Sequence, residues 1–101
     1  RGATAIVTYD HTLAIELYGR LRTSRLTVGR DLSVVCFNDH TPTDIVTPSL
    51  TAVRQPYHHM GYHAAQLLMC MMDDDEDLPP GRTVTLTPSL TVRESAVRAG
   101  A

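Results

Sequence analysis

Lysine and tryptophan are absent from this chain of 101 residues, and its nine basic side chains are all arginine. The absence of lysine excludes a Schiff-base amine and the lysine that many phosphoryl-transfer enzymes place on a phosphate. The formal net charge is -2 and no basic stripe is present. This stretch is therefore a poor candidate for binding the phosphate backbone of a nucleic acid by itself.

Long apolar runs and dense cysteines are lacking as well. No apolar run approaches the ~20 residues of a membrane-spanning helix, and no signal-peptide pattern is present, so we expect no membrane contact. The two cysteines, Cys36 and Cys70, lie in a strand pattern and a helix pattern and form no CxxC pair. Two reduced, buried thiols are the expectation, which favours the cytoplasm.

What the chain does contain is a repeated order of an apolar strand, a polar turn at the end of that strand, here called a corner, and a helix. The β-branched run at residues 5–7 predicts a strand buried on both faces, and it ends at Asp10. Leucines then recur every four residues, which predicts a helix over about Thr12–Arg22. A second run at residues 32–37 ends at Asn38, 28 positions after Asp10 and close to the ~30 residues of one βαβ unit. The pattern predicts an α/β fold with parallel strands.

The second half of the chain is less regular. Residues 38–50 predict a long loop with at most a helical turn, and residues 51–53 a short third strand. An apolar stripe predicts a helix over Tyr57–Met72. The acidic run 73–77 and the prolines after it predict a solvated loop, followed by two extended segments separated at Pro88 and a frayed tail. The side chains expected to be buried on the two helices are Leu13, Leu17, Tyr18 and Leu21 on the first, and Met60, Ala64, Leu67, Leu68 and Met71 on the second.

Two polar corners make a candidate ligand site. In open parallel sheets, ligands bind outside the carboxyl ends of the strands, where Asp10 and Asn38 are both expected. A carboxylate and an amide from neighbouring strands can accept from and donate to a small polar ligand. The alternative, which the pattern leaves open, is that both residues merely cap the segments that follow.

Neither a metal site nor a cofactor site is predicted. His59 and His63 have a spacing that can place two ligands on one helix face, but the glutamate of a zinc-protease motif is missing. His11 and His40 follow the predicted strand ends and have no third ligand at a fixed spacing. The acidic run lacks the glycine and glutamate of a calcium-binding loop, since Leu78 and Val84 occupy those positions.

Taken together, five stretches in order resemble the lactose/galactose repressor family: "TAIVTYDHTLAIELYGRLR", "DLSVVCFNDH", "PSLTAVRQP", "MGYHAAQLL" and "TPSLTVRES". The resemblance implies a type I periplasmic-binding-protein-like fold, of which this chain is the C-terminal part. It implies a C-terminal lobe at residues 1–53, an N-terminal-lobe segment at 54–87, a return strand at 88–95 and a tail at 96–101. The first residue is Arg1, and a strand follows almost at once, so we expect a piece of a longer protein.

The same resemblance implies functional residues. Asp10 and Asn38 match effector-binding positions at which the family has an asparagine and an aspartate, so the pair is exchanged here. Gln55 and Tyr57 match positions that line the cleft between the lobes. Residues expected at a homodimer interface are Ile15, Ile45 and Val46. The implied partners are a small effector, such as a sugar or a related polar compound, and operator DNA bound through a headpiece that this chain lacks.

Two other functions are considered besides that of a cytoplasmic transcription regulator. A secreted or periplasmic sugar-binding protein would share the fold, although the "VRES" ending is typical of the repressors. An enzyme is not expected, because the sequence offers no pair of a nucleophile and a base.

Overall fold

The computed structural model describes residues 2–73 and 82–99. Its elements are β1 (Ala5–Thr8), α1 (His11–Leu21), β2 (Ser33–Phe37), α2 (Thr41–Ile45), β3 (Thr51–Arg54), α3 (Tyr57–Met72) and β4 (Ser89–Thr91). The strands form one sheet in the order β1-β2-β3-β4, in which β1, β2 and β3 are parallel and β4 is antiparallel to β3. The prediction of an α/β fold with a parallel sheet is confirmed.

The chain divides into two compact units. The first comprises the chain up to Arg54 together with the segment from Ser89 onward, and the second is Gln55–Pro88. The whole sheet, α1 and α2 belong to the first unit, whereas α3 belongs to the second. The assignment of these segments to two lobes of a larger protein stays a prediction.

The core of the first unit lies between α1 and the middle of the sheet. Its buried residues are Ala14, Leu32, Val34, Cys36, Leu50 and Ala52. Leu17, Tyr18 and Leu21 pack against this core as expected, but Leu13 is 51% exposed. The prediction for Leu13 is wrong because Ala14 is the residue that faces the sheet, and its neighbour in the helix is rotated by about 100°.

Strand β1 is also less buried than expected. Val7 is 64% exposed, because it lies with the exposed Ala5 on one face of β1, while Ile6 and Thr8 lie on the partly buried face. Cys36 is fully buried and Cys70 half-buried, and both are free thiols, so the expectation of two buried thiols holds for the first. Burial raises the pKa of the Cys36 thiol.

Helix α3 has the predicted bounds but not the predicted burial. None of its described residues is buried, and Leu68 and Met71 of the predicted stripe are 57% and 71% exposed. The reason is that the described part of its own unit contains no second helix or strand to cover the stripe. No helix of the described residues is long and apolar enough to cross a membrane.

The loops and the C-terminal segment differ from the predictions in detail. The predicted loop 38–50 contains the five-residue helix α2, within the single turn allowed. Of the two extended segments, the second becomes β4, while residues 82–88 form no strand. The acidic run beyond Asp73 lies outside the described residues. The tail is anchored rather than frayed at Val97, whose backbone N–H donates to Ser33 Oγ at 3.0 Å.

Ser95 explains part of the "VRES" motif. It is fully buried, and its Oγ accepts the Thr51 N–H at 2.8 Å and donates to the Val34 carbonyl at 2.5 Å. The hydroxyl therefore satisfies one backbone group on β3 and one on β2 that would otherwise be buried without a partner. The C-terminal segment is fixed across two strands by this side chain.

Candidate functional site

Asp10 and Asn38 follow corresponding ends of two adjacent strands. Strands β1 and β2 are parallel with Thr8 opposite Cys36, and each candidate residue comes two positions after that pair. The sheet therefore brings both corners to its carboxyl edge, as the sequence predicts. The part that these two residues play in ligand binding stays a prediction.

Asp10 caps α1. Its backbone is extended, and its carboxylate Oδ1 accepts the Leu13 N–H at 2.9 Å, which satisfies one of the free donors at the start of the helix. The structure therefore shows Asp10 in the capping role that the alternative interpretation gave it. The cap uses one carboxylate oxygen, and a ligand hydroxyl can still donate to Oδ2.

Asn38 has a left-handed backbone with φ 72°, which the sequence pattern does not reveal. Its N–H donates to the Val53 carbonyl at 2.9 Å, so the ladder between β2 and β3 extends one residue past β2. Asparagine is among the few residues that tolerate this conformation, which costs most others about 1–2 kcal/mol. The residue type at this corner is thus constrained by the backbone as well as by any ligand.

Two histidine rings, one from each corner, are in contact. The rings of His11 and His40 meet edge to face with centroids 4.7 Å apart, and the buried Nδ1 of His11 has no hydrogen-bond partner. Within residues 2–73 and 82–99, no three His, Cys, Asp or Glu side chains come close enough together to hold a metal ion. His59 on α3 is exposed and His63 is half-buried.

Next to Asn38 lies an ion pair that sequence reasoning missed. The Arg93 guanidinium donates to both oxygens of Asp39, from Nη1 to Oδ1 at 2.8 Å and from Nη2 to Oδ2 at 3.0 Å. The two side chains are 17% and 7% exposed, respectively. Arg93 holds the pKa of Asp39 below its ordinary value, and Asp39 raises the pKa of Arg93.

A threonine hydroxyl and a backbone carbonyl complete this network. Thr43 is fully buried, and its Oγ lies 2.6 Å from both Asp39 Oδ1 and the His40 carbonyl, so its single proton serves one of them at a time. Arg93 Nη1 also donates to the Leu50 carbonyl at 2.7 Å. The arginine of "VRES" was the available signal, although nothing in the sequence identifies an aspartate 54 positions away as its partner.

The remaining candidates lie elsewhere. Gln55 and Tyr57 belong to the second unit, where the Tyr57 N–H donates to the Gln55 carbonyl at 2.9 Å and the Tyr57 side chain is 43% exposed. Among the expected interface residues, Ile15 and Val46 pack against the core of the first unit, whereas Ile45 is 73% exposed.

A groove in the first unit lies beside Ile15 and Val46. It has a volume of about 640 Å³, and its walls come from α1, the loop that follows it and the connection between α2 and β3. Inside it, the Tyr18 hydroxyl donates to the Pro48 carbonyl at 2.7 Å. Burial raises the pKa of Tyr18 to about 12.

Tyr18 is expected to make the protein sensitive to alkaline pH. Because the folded-state pKa lies above the ordinary value of 10.0, its contribution to stability is complete below pH 10 and is lost as pH rises toward 12. Denaturation of the wild type and of Tyr18→Phe across this range measures the difference. Tyr9→Phe, at a position that is 81% exposed, is the control and should follow the wild type. Parallel curves for the wild type and Tyr18→Phe would contradict the assignment.

An α/β sheet with polar corners gathered at its carboxyl edge defines a class of ligand-binding domains. The chain matches the periplasmic binding protein-like domain over residues 2–96, and it belongs to that family. The resemblance to the effector-binding region of lactose/galactose-repressor regulators is confirmed by its relatives, which are regulators of that kind.

Three relatives illustrate the match. A probable opine utilization operon repressor of Rhizobium rhizogenes is 31% identical over 94 residues, which cover 93% of this chain and 46% of that protein. The transcription regulator CcpA of Lactococcus lactis is 29% identical with a TM-score of 0.82, over 96% of this chain and 35% of that chain. The regulator CelR, solved in complex with cellobiose, is 32% identical with a TM-score of 0.83, over 92% of this chain and 28% of that chain. The chain thus spans less than half the length of each.

Proposed function

We propose that the chain is the C-terminal part of the effector-binding core of a transcription regulator, and that its sheet edge binds a small polar effector such as a sugar. The observation that carries the proposal is the position of Asp10 and Asn38, each two residues after a paired position at the carboxyl ends of two parallel neighbouring strands. A regulator with 32% identity and the same fold was solved with cellobiose, which supports a sugar or a compound of similar polarity.

The exchange of residue types between the two corners, with the carboxylate at Asp10 and the amide at Asn38, defines how such an effector would bind. Asp10 offers its second carboxylate oxygen, Oδ2, as an acceptor, and Asn38 offers an amide that can both donate and accept. Gln55 and Tyr57, in the segment that we assign to the N-terminal lobe, would supply a further polar contact and an aromatic face. Residues 1–53 and the return strand 88–95 would form the C-terminal lobe, and residues 96–101 its tail.

Regulation would follow from unequal affinity of the effector for two arrangements of the lobes. A ligand shifts such an equilibrium only by the difference between its affinities for the two states. In a dimer, the arrangement of the lobes would set the spacing of two DNA-binding headpieces outside this chain. Because its relatives are transcription regulators, we assign the protein to the cytoplasm and assign it no catalytic activity.

The effector proposal is tested by thermal denaturation of the full-length protein with arabinose, cellobiose, ribose 5-phosphate and adenosine. At a ligand concentration 100 times Kd, binding adds about 2.7 kcal/mol of stability and a clear rise in Tm. Asn38→Gly keeps the left-handed backbone and removes the amide, so it should abolish most of this rise. Asp10→Asn should weaken it, because the carboxylate is lost while the cap is retained.

Asp31→Asn is the control for these variants, because Asp31 belongs to an exposed ion pair with Arg30 outside the sheet edge. It should keep the full rise in Tm. A compound whose rise in Tm is the same in the wild type, Asn38→Gly and Asp10→Asn would place the effector site elsewhere and sink the proposal.

We also propose that the intact regulator is a homodimer that uses Ile15, Ile45 and Val46. The supporting observation is that the exposed Ile45 side chain adjoins Val46, which lines the groove together with Ile15. An isologous contact would place Ile45 of each subunit against the groove of the other. In such a contact both subunits use the same surface, which consists of the Ile45 side chain and the groove beside Ile15 and Val46.

Ile45→Asp is expected to convert the intact dimer to monomers at micromolar concentration, because it places a charge at an apolar contact. Sedimentation equilibrium measures the association constant, which should fall by about tenfold or more. Val92→Asp, at another apolar side chain that is 68% exposed, is the matched control. An unchanged association constant for Ile45→Asp would rule out this interface.

A further inference from the structure

The segment that follows β4 carries a guanidinium to the corner that follows β2. Arg93 comes two residues after β4, and Asp39 two residues after β2. Their two parallel hydrogen bonds, at 2.8 and 3.0 Å, match the planar fork of a guanidinium to the two oxygens of a carboxylate. A pair of this kind fixes direction as well as distance, which a single contact to a lysine would not do.

The guanidinium is itself fixed at the start of β3. Its Nη1 donates to the Leu50 carbonyl at 2.7 Å, and the Arg93 backbone N–H donates to Thr51 Oγ at 2.8 Å. Asp39 is thereby held against the strand rather than left free at the surface. At 7% exposure its carboxylate has little access to water that could replace Arg93.

Asn38 lies directly before this anchored carboxylate, and its own N–H is held by the carbonyl of Val53 near the other end of β3. Its φ of 72° therefore occurs in a turn fixed on both sides. Sparsely populated backbone conformations persist where the surroundings over-determine them, and they cluster at functional sites. Asp39 and Arg93 supply one half of that constraint.

We propose that Asp39 and Arg93 are positioning residues for Asn38: their ion pair holds the turn in the conformation that presents the Asn38 amide to the effector. The ligand in this statement rests on the function proposed above, whereas the positioning of Asn38 does not. Since β4 directly follows the Gln55–Pro88 unit along the chain, the ion pair also joins the Asn38 corner to the segment by which the chain returns from that unit.

Hydrogen exchange of the full-length protein tests the positioning without any ligand. In Arg93→Lys, which keeps the charge but not the fork, amides of residues 38–40 should exchange about tenfold faster than in the wild type. Amides of α1 (His11–Leu21) should accelerate by less, and only as far as the variant lowers the global stability. Arg30→Lys is the matched control, because Arg30 forms the exposed ion pair with Asp31, at 3.1 Å, and it should change neither region.

Uniform acceleration of both regions in Arg93→Lys would mean that the ion pair serves global stability alone, and it would overturn the positioning role. Unchanged exchange at residues 38–40 would overturn it equally. Asp39→Asn is the second variant and should accelerate the same amides, since it removes the charge that pairs with Arg93.

Binding of cellobiose, or of whichever other compound of the effector test raises the Tm of the wild type, gives a second readout. Arg93→Lys should weaken its affinity by about tenfold in the wild-type background and should have no further effect in Asn38→Gly, where no amide is left to position. Additive losses would contradict the proposal. If Asn38→Gly leaves the affinity unchanged, the proposed effector site fails, while the exchange rates still decide the positioning of Asn38.

Discussion

Asp39→Ala is expected to lower the free energy of unfolding of the intact protein by about 3 kcal/mol. The variant removes the carboxylate that pairs with both Nη atoms of Arg93, whose side chain is 17% exposed, and leaves only the exposed Asp44, with Oδ1 3.9 Å from Arg93 Nε, among the ion pairs of the described residues. The loss falls at the lower end of the range for broken buried ion pairs, because this residual exposure lets water solvate part of the charge. Urea denaturation followed by circular dichroism measures the change.

Two comparisons test whether the loss of stability in Asp39→Ala comes from the broken ion pair. Asp31→Ala removes an exposed partner of Arg30, together with an acceptor for the Thr27 N–H, and should cost less than Asp39→Ala. The double variant Asp39→Leu/Arg93→Met removes both charges and should be more stable than Asp39→Ala. If Asp39→Ala and Asp31→Ala cost the same, the Asp39 ion pair does not stabilise the fold as described.

The same ion pair predicts acid sensitivity with a definite sign. The pKa of Asp39 is lowered from its ordinary 3.8, chiefly by the hydrogen bonds from Arg93. Its contribution to stability is therefore present above pH 3.8 and is lost as pH falls through the lower folded-state pKa. Asp39→Asn should lack this component of the acid transition.

Gly29→Ala is the second variant with a large expected effect, a loss of roughly 2–4 kcal/mol. Gly29 has φ 85°, and a Cβ added there would lie 2.7 Å from the Glu94 carbonyl oxygen. That oxygen belongs to the backbone between Arg93 and Ser95, both of which are fixed by hydrogen bonds to β3. The clash cannot be relieved by a side-chain rotation, so the C-terminal segment has to move.

Gly19→Ala is a control of opposite sign. Gly19 lies in α1, and a Cβ there would meet no atom within 4 Å. Alanine should stabilise the helix by up to about 1 kcal/mol, since glycine is the poorer helix former. Equal losses for the two variants would show that space and backbone conformation at Gly29 are not the cause. Chemical denaturation of both intact variants measures the difference.

Local patterns in the sequence determined the elements and their order. The apolar runs and the period of the leucines predicted β1, α1 and β2 to within about two residues, and the stripe of α3 predicted its bounds at Tyr57 and Met72. The arrangement of β1 and β2 as parallel neighbours followed from the length of the segment between them. The common sheet edge that Asp10 and Asn38 follow was therefore predictable, because a strand and its helix are encoded by neighbouring residues.

The tertiary structure decided the backbone conformation and the burial of the residues at those corners. The left-handed turn at Asn38 depends on Val53, and the buried state of Asp39 depends on Arg93, 54 positions later. The exposure of Leu13 and of the α3 stripe depends on which surfaces are covered within each unit. A single sequence carries periodicity and capping signals over a few residues, but the pairing of groups far apart in the chain is fixed only when the sheet brings them together.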